Sequence, residues 1–238
     1  MPKDPKTQQP MSDWTSTRTY EGYLNDLQKV KSTGEMVNGI KGPCNLNRLK
    51  HFNPVTNTCI DFMHSLLEGV CKKFFEYWFD SEHHEHPSNM RKYMQVLEKR
   101  LLNIRPPKFV PSTPRSIYSH GLWRAHEYLS FFLYYALAIF KDIMPLKFYQ
   151  HLKKFVLFIE TILSSRINVR NLKSVEVVLI EFVKEMPELY SKNIMLSGAH
   201  ELLHLTHCTL EFGPLNSVNC FQYEELNRKL MRFLHGTD

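Results

Sequence analysis

The stretch that decides the fold is residues 58–77, TCIDFMHSLLEGVCKKFFEY. Its apolar residues fall on nearly every side of an ideal helix, so the pattern predicts a helix that is buried all round. Thr58 suits the first position, because its hydroxyl oxygen can accept a hydrogen bond from a free backbone N–H. We therefore expect a deeply buried helix from Thr58 to Tyr77.

Most of the remaining chain has the spacing of amphipathic helices, with apolar residues three and four positions apart. Nowhere does the alternation typical of strands recur in several neighbouring segments. Gly, Asn and Pro recur in residues 34–57, and four prolines between residues 106 and 114 force an extended stretch. Besides 58–77, the predicted helices are 20–31, 90–101, 122–142, 146–164, 172–190, 200–211 and 221–234.

These patterns predict a mainly α-helical protein with little or no β-sheet. Residues 1–16 are polar and contain three prolines, which predicts a disordered leader. Residues 17–238 are expected to form a single helical domain.

Composition favours an intracellular globular protein. The hydrophobic fraction is 43%, with 16 Phe, 11 Tyr and 3 Trp, which excludes a wholly disordered chain. The net charge of +6 is compatible with nucleic-acid binding and also with many unrelated soluble proteins. The five cysteines are scattered and no apolar signal segment begins the chain, so we expect reduced thiols without structural disulfides. The longest apolar run, Phe131–Phe140, is about half of the roughly 20 residues that a membrane-spanning helix needs, so no membrane association is expected.

A carboxylate and an imidazole lie three residues apart at Asp61 and His64, on one face of the predicted helix. Such a pair can orient the imidazole, ligate a metal or position a phosphate. The same spacing is also common in capped helices that have no chemical role. By itself it leaves these alternatives open.

Several short blocks follow one another along the chain. They are GIKGPCNL (39–46), IDFMHSLLEGV (60–70), PRS (114–116), WRAHEY (123–128), GPL (213–215) and FQYEELNRKL (221–230). Together they resemble, over about residues 18–238, the C-terminal half of the catalytic domain in CACTA-type DDE transposases of animals. Two positions depart from that pattern: Asn216 stands where the family usually has Trp, and Arg228 where it usually has Gly.

The resemblance implies an RNase H-like transposase, in which aspartates on early strands meet a glutamate on a late helix across a large helical insertion. This chain would supply the helical insertion and the final Glu-bearing helix. Glu224 is the implied third catalytic acid, and Asp61 and His64 are further implied catalytic residues. Glu224 and Asp61 are the implied ligands of Mg²⁺ or Mn²⁺. Because the two upstream aspartates are not evident, we expect a transposase-derived fragment that does not cleave or join DNA alone.

The resemblance also implies partners and a location. DNA at transposon ends is the implied ligand, and the nucleus is the implied compartment. The N-terminal catalytic half, or further copies of this chain, are the implied protein partners. The candidate DNA contacts are basic residues, because Lys and Arg release counterions when they neutralise phosphates; ordinary solvated faces are the alternative. These candidates are Arg115, Lys153, Lys154 and Arg228.

Three other interpretations stay open. The motif His200-Glu201-Leu202-Leu203-His204 has the His-Glu-x-x-His pattern of zinc metallopeptidases, with Glu224 as a later third ligand and Glu201 as the base. A structural zinc at Cys44, Cys59, His64 and Cys71 would lack the paired spacing of zinc fingers. A helical module that binds protein or DNA without catalysis needs none of these residues.

Overall fold

The computed structural model describes residues 18–110 and 112–235. Within these ranges the backbone forms nine α-helices and no strand, with only an isolated antiparallel bridge between Val37 and Ile40. The prediction of a mainly α-helical protein is confirmed. The predicted leader at residues 1–16 lies outside the described residues. No helix in the described ranges is both long and apolar enough to cross a bilayer.

The helices follow the predicted order closely. The α-helices are α1 (Tyr20–Thr33), α2 (Lys72–Phe79), α3 (Met94–Leu102), α4 (Ala125–Ser130), α5 (Ala136–Phe140), α6 (Leu146–Ile162), α7 (Val169–Leu189), α8 (Ser197–Phe212) and α9 (Phe221–His235). Short 3₁₀ turns occur at Asn45–Arg48, Ser81–His83, Arg91–Tyr93, Ile117–Leu122, Lys192–Ile194 and Leu215–Ser217.

Two π-helical segments interrupt the α-helical pattern. One, Met63–Cys71, runs directly into α2, and the other, Phe131–Tyr135, joins α4 to α5. The expected helix from Thr58 to Tyr77 therefore begins later and is wider in its first half. Thr58 does not cap it, because the Thr58 hydroxyl donates to the carbonyl of Pro54 at 3.0 Å. The carboxylate of Asp61 accepts from the backbone N–H groups at the start of the π-helical segment instead.

Two consecutive aromatic residues of α2 hold the core together from opposite sides. The Phe74 ring contacts Phe155 of α6 and Phe182 of α7, with ring centroids 5.4 and 6.0 Å away. The Phe75 ring contacts Trp123 and Phe131 on the other side, at 5.1 and 4.8 Å. A helix that presents neighbouring residues to two separate layers must be buried all round, as the sequence predicted.

Helix α1 lies on a small apolar cluster of its own. Its buried residues Tyr23, Leu27 and Val30 pack with Ile40 of the following loop. The remaining buried apolar residues form one large cluster.

Helix α8 approaches the π-helical segment more closely than ordinary side chains allow. A Cβ atom added to Gly198 would lie 2.7 Å from the backbone carbonyl oxygen of Ser65. On the opposite side of this contact, a Cβ at Gly69 would lie 3.9 Å from the Cα of Gly198 and 3.1 Å from the carbonyl oxygen of His64. The two glycines therefore set the distance between α8 and the segment that carries His64.

We expect Gly198→Ala to lower the free energy of unfolding by about 1–3 kcal/mol, because the added methyl group forces a backbone separation in a packed core. The loss would exceed the gain of about 1 kcal/mol that Ala offers over Gly in a helix. Urea denaturation measures the change in the free energy of unfolding. Gly121→Ala is the control, since its Cβ meets nothing within 4 Å. Equal stability of Gly198→Ala and wild type would contradict the close contact.

Candidate functional site

The structure brings together three residues that the sequence singles out, across some 160 positions of chain. The Nδ1 atom of His64 lies 2.5 Å from Oδ2 of Asp61, and its Nε2 lies 3.3 Å from Oε1 of Glu224. The imidazole thus bridges a carboxylate before the π-helical segment and a carboxylate in the first turn of α9. His64 and Glu224 are more than half exposed, whereas the Asp61 side chain is only 20% exposed.

The carboxylate of Asp61 also fixes where α9 begins. Its Oδ1 atom accepts from the backbone N–H of Cys220 at 3.3 Å and from that of Met63 at 3.4 Å. Its Oδ2 atom accepts from the backbone N–H of His64 at 3.1 Å, in addition to the imidazole. Beside these bonds, the ring of Phe221 packs edge-on against Phe62. One carboxylate therefore joins the start of the π-helical segment to the start of α9.

These contacts shift the pKa values of both partners. Burial acts to raise the pKa of Asp61, but the hydrogen bonds from the His64 ring and from three backbone N–H groups outweigh it, so the pKa lies below its usual value. The hydrogen bond to Asp61 raises the pKa of His64, and the charges of Asp61, Glu68 and Glu224 add to it against a smaller effect of burial. The pair favours a carboxylate and an imidazolium.

A cleft of about 270 Å³ opens beside His64, between the π-helical segment and the start of α8. Its lining includes Gly69 and Gly198 of the close helix contact, together with Lys73 and Glu201. Lys73 also pairs with Glu76 on the next turn of α2. Neither Lys73 nor Glu201 is adjacent to His64 in sequence, and only the packing of α8 brings Glu201 to this cleft.

The residues present do not fit the two-metal centre that the resemblance implies. Mg²⁺ prefers several oxygen ligands in octahedral geometry. A carboxylate offers about four lone-pair positions, and at Asp61 four N–H donors point at them. The carboxylate of Glu224 still has lone pairs available to a metal ion, but one carboxylate cannot hold two ions. Among residues 18–110 and 112–235, no three His, Cys, Asp or Glu side chains are grouped to hold a metal.

Three of the four predicted DNA contacts are engaged with acidic side chains. Arg115 pairs with Glu127 at 3.2 Å, and Arg228 with Glu225 at 2.7 Å. Lys154 lies between two glutamates of α7, Glu181 at 3.3 Å and Glu185 at 2.7 Å. Lys153 differs, since its ammonium group lies over the ring of Tyr149, 5.0 Å from the centroid.

The residues of the metallopeptidase motif do not converge as that interpretation needs. His200 and His204 face each other on α8, with their Nε2 atoms 3.2 Å apart. Glu224, the expected third ligand, contacts His64 instead. Glu201, the expected base, lines the cleft beside His64.

Two of the cysteines lie near each other in a pairing that the sequence did not indicate. Cys71 is buried in the core and Cys44 is exposed. Cys59 instead lies near Cys208 of α8, whose sulfur accepts from the backbone N–H of Ile60 at 3.5 Å. Burial, and then Cys208, raise the pKa of Cys59 to about 12. The thiolate that binds metals or attacks substrates is therefore scarce at neutral pH.

Comparison with protein-family models, with curated proteins and with solved structures finds no match to this chain.

We expect Asp61→Asn to lower the pKa of His64, because the charged acceptor is the largest contributor that raises it. Glu224→Gln is the matched control and should lower it less, since Glu224 is the smallest contributor named. Titration of the imidazole signals by NMR measures both. Because folding raises the pKa of His64, the charged imidazole stabilises the folded state fully at pH values below its unfolded pKa of about 6.5. That stabilisation is lost as the pH rises through the pKa of the folded state. An unchanged pKa in Asp61→Asn would refute the bridge.

Proposed function

We propose that this chain is a transposase-derived protein, the helical part of a CACTA-type DDE transposase whose intact relatives cleave and join DNA with the help of metal ions. The observation that carries the proposal is the convergence of Asp61, His64 and Glu224 at one place. These are the three catalytic residues that the resemblance implies, although His64 and Glu224 lie 160 positions apart in the sequence.

The roles proposed for these residues follow from their hydrogen bonds. Asp61 positions His64 and anchors the first turn of α9, because its lone pairs all face N–H donors. Glu224 is the acid that remains able to bind a metal ion. Mg²⁺ or Mn²⁺ would supply activation of the attacking oxygen and stabilisation of the leaving one. The chain would need carboxylates from another polypeptide to hold such ions, so we propose that it does not cleave DNA alone.

Helix α9 is the proposed contact for that polypeptide. From Leu226 to Leu234 every residue is exposed, and the side chains of Tyr223, Leu226 and Leu230 repeat at three and four residues. At about 100° per residue, Glu224 lies about 100° from Tyr223 and Glu225 about 100° from Leu226, so the two glutamates flank the apolar face on opposite sides. A strand-bearing half that covers the face and extends past Tyr223 would meet Glu224.

DNA is the proposed ligand and the nucleus the proposed compartment. Lys153 is the best placed of the four basic candidates, since no carboxylate pairs with it among the described residues. To contact DNA, each of the other three candidates would have to exchange its glutamate partner for a phosphate; these are Arg115, Lys154 and Arg228. The Arg228–Glu225 pair is exposed, and exposed ion pairs contribute little to stability, so the exchange costs little at that position.

The decisive experiment combines this chain with the two-aspartate half of an intact CACTA-type relative and follows nicking of plasmid DNA that carries transposon ends in Mg²⁺ or Mn²⁺. We expect no nicking by either part alone and nicking by the mixture. Glu224→Gln should reduce it by about a hundredfold or more, as the loss of one group that stabilises transition-state charge does.

Glu225→Gln is the matched control, because it removes the same charge one position away. It also frees Arg228 from its ion pair, so nicking should stay the same or rise and should not fall. Nicking that survives Glu224→Gln, or nicking by this chain alone, would contradict the proposed role of Glu224.

A second candidate function, a helical module for protein interaction, is favoured by the same exposed face of α9. Contiguous apolar surface is rarely left open in monomeric soluble proteins. In this case α9 would pair with α9 of a second copy, and no catalytic residue would be needed.

If the chain pairs with itself, sedimentation should show a dimer that the double variant Leu226→Lys, Leu230→Lys converts to a monomer. Both side chains are about half exposed, so the fold should persist with a change in stability within about 0.5 kcal/mol. Val177→Lys on the exposed side of α7 is the control and should remain dimeric. A monomeric wild type would count against self-pairing.

A further inference from the structure

Two histidines of α8 face one another at a distance that suits a shared metal ion. The Nε2 atoms of His200 and His204 lie 3.2 Å apart, and the rings are inclined at 77° to each other. Zinc binds imidazole nitrogen at about 2.0–2.1 Å, and tetrahedral geometry then separates two ligating nitrogens by about 3.3 Å. The observed separation therefore matches that of two nitrogens on one zinc ion.

The two imidazoles can share one proton or hold one cation. Only one proton fits between the two Nε2 atoms, so without a cation one ring donates and the other accepts. When each neutral ring carries its proton on Nδ1, both Nε2 atoms present the lone pairs that a metal ion needs.

The backbone beneath these rings is held firmly. Ala199, Leu202 and Leu205 of α8 are completely buried, so the exposed His200 and the half-buried His204 project from an anchored turn of helix. Residues four apart on a helix lie on one face, and His200 is exposed to solvent. An ion can therefore enter from solvent, and water can complete its coordination.

Three other histidines of the described ranges have ring nitrogens that are already engaged. The two ring nitrogens of His86 lie 2.7 Å from the Ser88 hydroxyl and 2.9 Å from the carbonyl of Tyr190. The Nδ1 of His64 is engaged with Asp61. His151 is buried, with Nε2 bonded to the carbonyl of Phe182.

We propose that His200 and His204 form a bidentate binding site for a divalent transition-metal ion, with zinc as the fitting example. The ion clamps one turn of α8 and has open coordination positions toward solvent. The site is separate from the contact between His64 and Glu224 and does not depend on the proposed transposase origin. It also needs no peptidase chemistry, because two protein ligands are sufficient for binding.

The test is calorimetric titration of the chelator-treated chain with Zn²⁺ at pH 7.5 in the presence of a thiol-free reductant. We expect one equivalent of zinc, and an affinity that falls at least about tenfold in both His200→Ala and His204→Ala. Loss of even an outer hydrogen-bond partner of a metal ligand costs about that much. His207→Ala, one turn further along α8, is the matched control and should bind within about threefold of wild type.

A second measurement guards against misfolded variants. Zinc should raise the midpoint of thermal unfolding of wild type and of His207→Ala, because binding to the folded state alone stabilises it. It should not do so in His204→Gln, which keeps a side chain of similar length on the helix. Zinc binding with wild-type affinity by the double variant His200→Ala, His204→Ala would overturn the proposal. So would equal loss in His207→Ala, and so would a wild-type chain that binds no zinc.

Discussion

The carboxylate of Asp61 is the interaction on which the arrangement around His64 depends. It receives the N–H groups of Met63 and His64, which start the π-helical segment, and the N–H of Cys220, which precedes α9. The same group orients the imidazole that reaches Glu224. An unpaired buried donor costs about 1–3 kcal/mol, so removing this acceptor would release both helix starts together. Local capping and long-range positioning are therefore one interaction in this protein.

The close approach of α8 to the π-helical segment determines what surrounds His64. Gly198 lets the two backbones meet at Ser65, and this contact places Glu201 on the same cleft as His64 and Lys73. Residues 200 and 204, two and six positions beyond Gly198 on the same helix, then carry the paired imidazoles. A helix whose buried side is fixed by glycine contact presents its exposed side chains in fixed directions, as a binding site requires.

Helix positions were largely predictable, because apolar residues three and four positions apart mark the face of a helix that will be buried. The predicted helix 146–164 matches α6 to within two residues at its end. The predicted helix start at Thr58 was wrong. The side chain of Asp61, and not that of Thr58, accepts hydrogen bonds from the free backbone N–H groups at the start of this helix. The π-helical turns could not be read from spacing, since nine apolar-rich residues fit either geometry.

The site was predictable only in part. Asp61 and His64 share a helix face by spacing, whereas the meeting with Glu224, the role of the Cys220 N–H and the nearness of Cys208 depend on tertiary packing across about 150 residues or more. The placement of Glu224 has a consequence for partners. The carboxylate of Glu224 reaches His64 and lies about 100° around α9 from Tyr223, on the side away from Leu226. A polypeptide that covers Tyr223 and extends toward His64 would therefore take this carboxylate out of water, and a carboxylate taken out of water needs a cation or a donor. Binding on the Tyr223 side of α9 and charge compensation at Glu224 are therefore coupled, and a partner that offers only apolar side chains there would bind poorly.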